Sequence, residues 1–250
     1  MVSNSTHLHI RIPEHAFRSF YQLVFVVSSV LIFITAASDA IPAFGNRTVF
    51  SQLDLKLEGN LAAWYSSMLL LLTGLAASAI ATNVPSSTQE RRQHGIVWAV
   101  LAAFFFGLSA DEAAQLHEWV GESFTMRFGD TPRLARGAYP AYAWLVVLLP
   151  LIICFLLGMK VAIKSLRVHN PSRIFALAGV TCWIGVLLAE FIEAQMARLS
   201  MERSFQGVLE EGLEIAGTTF FLVSCLEFLR YARTQRDAAS ANQDGRAAQS

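Results

Sequence analysis

Asp111, Glu112, His117, Glu118 and Glu122 crowd the stretch LSADEAAQLHEWVGE, directly behind the apolar run IVWAVLAAFFFG. Two ExxE units, Glu190 to Glu193 and Glu211 to Glu214, stand in equally apolar surroundings, VLLAEFIEAQ and LEEGLEIAGTTFFLV. Carboxylates three residues apart share a helical face and can converge on one ion, as they do on the facing helices of di-metal bundles. Ligands that are all oxygen select hard cations such as magnesium or calcium, or iron and manganese in a carboxylate site, over copper. Crowded acids also titrate as a coupled set, which suits proton handling. The expected cation site is Asp111, Glu190, Glu193, Glu211 and Glu214, with Glu58, Glu112, Glu118, Glu122 and Glu210 around it. ExxE also occurs on solvated helix faces, where it is only a wet rim; the apolar flanks favour the functional reading.

His117 stands six residues beyond Asp111, about 120° further around a helix, so the two do not form an HExxH-type pair. His117 and Glu118 are the candidate acid and base if a bound metal activates water here. An interfacial histidine satisfied by water is the competing account. Ser109 has no histidine spaced to activate it, and there is no Gly-rich phosphate loop and no nucleotide or flavin motif. Cys154, Cys182 and Cys225 fall singly in apolar segments, which reads as packing rather than a disulfide framework.

The elements that must position these acids are set by composition. Of 250 residues, 54% are hydrophobic and 15% charged, too apolar for an ordinary soluble domain, and a net charge of zero leaves no footprint for nucleic acid. Six segments are long enough to span a bilayer, roughly residues 20–44, 61–81, 96–117, 141–163, 174–197 and 205–229. The reading is an all-α, polytopic membrane protein: one transmembrane domain over residues 1–233, a six-helix bundle with a retained first helix. A polar tail over 234–250 has the composition of disorder. The segment SQLDLKLEGN, with Leu53, Leu55 and Leu57 alternating, is expected to lie along the membrane surface. Pro150 predicts a kink in the fourth span, which carries no acid and reads as a supporting helix.

Basic residues orient the bundle. The two termini and the second and fourth loops hold 12 of the 19 Lys and Arg residues and the opposite loops hold 7, which predicts both termini in the cytoplasm of a bacterial inner membrane. At 1.5 Å per residue, Asp111, Glu190 and Glu214 then lie about 22, 24 and 22 Å above the inner ends of their spans. That common level predicts one cavity open to the outside, with Asp111, Gln115, Glu118 and Glu122 on a single stripe of the third helix.

At SADEAAQLHE, EGNLAAWYSS and LEEGLEIAG the chain resembles a group of uncharacterised bacterial six-pass inner-membrane proteins that share such motifs. The resemblance implies the fold and carries no activity. EGLE at Glu211 to Glu214 is similar to the REGLE segment of high-affinity iron permeases, a chemical analogy in which Glu210 stands where those proteins have arginine. The leading expectation is a membrane protein with an outward-facing, carboxylate-lined site for a metal ion or proton, used in transport or sensing. The alternatives are a membrane-embedded metal-dependent enzyme acting on a lipid or lipid-linked substrate, and a structural subunit of a membrane complex. Membrane lipids are the expected surroundings, and association with copies of itself or with other chains is compatible with every one of these readings.

Overall fold

The computed structural model describes residues 13–41, 48–57, 59–83, 89–116, 119, 139–198 and 206–247. Six long helices carry the architecture: α1 (Glu14–Ala40), α2 (Leu61–Asn83), α3 (Gln89–Ala114), α4 (Tyr139–Ser165), α5 (Asn170–Arg198) and α6 (Gln206–Ala247). A four-residue helix, Thr48–Ser51, precedes α2, and a 3-10 turn, Leu166–Val168, joins α4 to α5. No strand occurs among the described residues. Each long helix contains a stretch long and apolar enough to cross a bilayer, the architecture of a multi-pass membrane protein.

Chain direction gives the bundle two ends. At one, α3 finishes with Asp111 and Glu112 and α6 starts with Glu210, Glu211 and Glu214. At the other lie Arg18, Lys160, Lys164, Arg167, Arg173 and Arg230. We call these the acidic and the basic end. The helices run further toward the basic end than apolarity predicts, because polar residues such as Glu14, His15 and the QERRQH start of α3 continue the helical turns. α6 likewise continues to Ala247, through a stretch whose composition suggests a disordered tail. Residues 234–239 there are all exposed, and Arg236 donates to Asn83 Oδ1 at 3.3 Å.

Three local features fix the helix boundaries. Asn60 caps α2: its Oδ1 accepts from Ala63 N at 2.8 Å, while its Nδ2 donates to the Ser51 and Asp54 carbonyls at 2.9 and 2.6 Å. This one side chain therefore starts α2 and pins the preceding surface segment, which Leu55 N ties to α1 by donating to Thr35 Oγ1 at 3.0 Å. Pro171 sits in the first turn of α5, where a missing N–H costs nothing. At the end of α3, Gln115 takes the left-handed conformation with φ 55° and stops the helix at Ala114. Of the expected stripe on this helix, Asp111 lies in its last turn and Gln115 just past its end, while Glu118 and Glu122 lie outside the described residues.

Packing is uneven. α2 lies closely on α3 and α5 on α6, and α4 meets α5 far more sparingly. Glycines make the close pairs. A Cβ on Gly74 of α2 would stand 2.6 Å from the Phe106 ring of α3, and one on Gly179 of α5 would stand 2.8 Å from Phe221 of α6. A Cβ on Gly217 of α6 would collide with the indole of Trp183 on α5. With no solvent-driven force between helices in lipid, such small residues supply association by letting backbones approach. α1 joins through α6, where Ser28 Oγ lies 2.9 Å from both Thr219 Oγ1 and Tyr65 Oη of α2.

Candidate functional site

At the acidic end, α3, α4, α5, α6 and the surface segment line a cavity of about 230 Å³. Its floor is aromatic. Phe104 of α3 stacks on Phe155 of α4 with ring centroids 4.4 Å apart, and Phe155 lies 6.1 Å from both Trp183 of α5 and Phe221 of α6. These contacts tie four helices together at one level, and Phe104, Phe155 and Trp183 face the cavity. The side walls are aliphatic: Leu151 and Leu156 from α4, Val180 and Ile184 from α5. Leu55 and Leu57, expected merely to rest on the membrane surface, reach into the wall from above.

Polar groups converge from two sides. α3 supplies Asp111, Glu112 and Gln115, and α6 supplies Glu210, Glu211 and Glu214. Glu210 and Glu214 are one turn apart on a shared face, with Glu211 beside them, so the first turns of α6 present a carboxylate ladder. The apolar remainder of α6 packs in the core, with Ile215, Thr218, Thr219 and Leu222 fully buried, which holds the ladder in place. Lys56 approaches the same end of α6: its Cδ lies 3.2 Å from where a Cβ on Gly207 would stand.

The acid-bearing end of α3 is fixed by a reciprocal serine clasp. Ser67 Oγ donates to the Ser109 carbonyl and Ser109 Oγ donates to the Ser67 carbonyl, each at 2.9 Å. This accounts for Ser109 as a joint between α2 and α3 two residues from Asp111, in keeping with the absence of a histidine to activate it.

Of the expected cation ligands, Asp111, Glu211 and Glu214 line this one cavity, as do Glu112 and Glu210 from the surrounding set. Among the described residues, no three His, Cys, Asp or Glu side chains are grouped so as to hold a metal ion. The carboxylates line separate walls of a space whose floor is apolar. Glu190 and Glu193 lie on α5, but their side chains are outside the described residues, as are Glu58, His117, Glu118 and Glu122.

Sequence reading missed the part played by α4. Without an acid it reads as a support, yet it supplies Leu151, Ile152, Phe155 and Leu156 to the cavity. Its apolar side chains face lipid and cavity alike, and hydropathy does not distinguish the two. The sparing contact between α4 and α5 that opens the space is a property of the pair, invisible in either helix alone.

Residues 20–228 match a protein family described as Domain of unknown function (DUF8692). The chain belongs to this family. The match covers all six spans up to the middle of α6, so the cavity and its carboxylates lie within the family's own domain. No curated protein and no solved structure matches the chain.

Proposed function

We propose that this family member is a bacterial inner-membrane protein, both termini cytoplasmic, that binds an amphiphile from the outer leaflet. The ligand is a lipid or lipid-linked molecule whose head group carries positive charge or hydroxyl donors. The observation that carries the reading is the division of one cavity into an aromatic and aliphatic floor and a mouth lined by Asp111, Glu112, Glu210, Glu211 and Glu214. An apolar pocket with a few convergent polar groups is the general form of a small-molecule site. Carboxylates at the edge of a bilayer are costly unless they face a wet or liganded interior. A bare ion would leave the aromatic floor unused, whereas an amphiphile uses both parts. The orientation follows from the excess of Lys and Arg at the other end of the bundle.

A second reading is the metal or proton site expected from ExxE. It draws support from the convergence of α3 and α6 carboxylates on the same space. One experiment separates the two: thermal stability of the purified protein in nanodiscs containing a long-chain alkylamine or the matching alcohol, together with metal content by mass spectrometry. The amphiphile reading expects stabilisation by the amine over the alcohol, about 2.7 kcal/mol at a hundredfold excess over Kd, and its loss in Asp111→Asn/Glu214→Gln. Equal response to amine and alcohol in the native protein overturns that reading. Stoichiometric metal that disappears in the variant establishes the second reading instead.

A further inference from the structure

A second cavity, of about 300 Å³, opens at the basic end between the last turns of α4 and the start of α5. Lys160, Lys164, Arg167 and Arg173 line it, with no carboxylate in its walls. None of these four cations forms an ion pair with a described residue, although Arg230 nearby is paired with Glu227 and Glu14 at 2.8 and 3.2 Å. Lys160, Lys164 and Arg167 are exposed, while Arg173 is half-buried with its Nε shut off from solvent and lacking an acceptor. A buried guanidinium N–H without an acceptor is costly, and the direct remedy is an anion.

Ordinary loop cations at a membrane face would be solvated and would need no pocket. Here the remaining wall is apolar, made by Leu156, Met159, Ile163 and Val180. Leu156 and Val180 also line the acidic cavity, so the basic pocket and the cavity with the aromatic floor meet at these two side chains, along the sparsely packed face between α4 and α5. From Lys164 to Leu151 the α4 face between the two cavities spans thirteen residues, about 20 Å at 1.5 Å per residue, on the scale of one leaflet with its head group.

We infer that this pocket seats the phosphate of an anionic glycerophospholipid between Lys160, Lys164, Arg167 and Arg173, with an acyl chain lying in the cleft between α4 and α5. Four cations with no ion pair among the described residues select an anion, and the apolar wall selects one that carries a hydrocarbon tail over a free phosphate. Basic pockets between transmembrane helices are a recurrent way of holding such head groups. This site is at the opposite end from the carboxylates and stands independently of the amphiphile proposed there.

The test is native mass spectrometry of the full chain, released from detergent after incubation with phosphatidylglycerol, phosphatidylcholine or inorganic phosphate. The native protein should retain phosphatidylglycerol in preference to phosphatidylcholine, with the preference shrinking as salt is raised, and inorganic phosphate should not compete at equal concentration. Lys164→Gln/Arg167→Gln should weaken phosphatidylglycerol retention by about 25-fold, roughly five-fold per cation removed. Equal retention of the two lipids by the native protein, or full competition by inorganic phosphate, overturns the assignment. So does a folded double variant that retains phosphatidylglycerol as the native protein does. The lipid preference and its salt dependence are read on the native chain and decide the matter even if the variant misfolds.

Discussion

The α5–α6 pair and the α4–α5 pair share a helix and differ in almost everything else. Between α5 and α6, Gly179 and Gly217 let Phe221 and Trp183 press against backbone, and the interface is filled. Between α4 and α5 no such glycine contact occurs among the described residues. Leu156 there is 38% exposed, and the helices meet only sparingly. The same face-to-face arrangement of apolar helices thus yields a seam in one case and a cleft in the other. In lipid, where burial of hydrocarbon brings no net gain, it is side-chain size at the crossing that decides whether two helices close or leave room for a third party.

The largest expected effect comes from forcing the closed pair open. Gly217→Leu places a branched side chain where Trp183 and the Cys182 Cβ already stand, and should destabilise the protein by about 3 kcal/mol, read as a lowered unfolding midpoint in nanodiscs. Gly158 of α4 is the contrast: a Cβ there would meet only the flexible end of Leu101, at 3.2 Å.

The converse substitution fills the open pair. Leu156→Trp adds bulk at a residue that lines both cavities and packs against no filled seam, so stability should shift by no more than about 1 kcal/mol. Alkylamine stabilisation and phosphatidylglycerol retention should nevertheless both fall. A drop in stability as large as that of Gly217→Leu would show that the α4–α5 space is packed rather than open.

The smallest effect concerns the mouth of the cleft. Gln115 holds a left-handed conformation that costs a residue with a Cβ about 1 kcal/mol, so Gln115→Gly should raise stability by about that amount. In a chain of this size the corresponding rise in midpoint is roughly 2 to 4 °C. No rise would mean that Gln115 earns its strained position through contacts made at the cavity.

Much of the architecture is legible in the sequence because the bilayer imposes a length that hydropathy can read. All six spans appear where the apolar runs lie, from Leu61 at the start of α2 to the Pro171 break before α5. The errors fall where helix and apolarity part company. Polar turns at the basic end extend α1 and α3 beyond the hydrophobic runs, and α3 stops at Ala114 because of a backbone conformation at Gln115 that no glycine announces. The carboxylates of α3 and α6 are legible as sharing one level, and they do line one space. Whether they gather on an ion is a question of distances between helices, which spacing along a helix does not contain. The cleft was hidden more deeply, since α4 has no polar marker and its leucines read the same whether they face lipid, protein or a vacancy between helices.

Leu156 and Val180 belong to the walls of both cavities, and this makes the two ends of the molecule accountable to each other. A ligand at one end that turned either side chain would reshape the other end, some five turns of helix away at most. By thermodynamic reciprocity the effect runs equally in both directions: if filling the basic pocket tightens binding at the acidic mouth by some factor, filling the mouth tightens the basic pocket by the same factor. The bilayer's two surfaces would then communicate through a pair of aliphatic side chains, with no charge moved and no helix displaced.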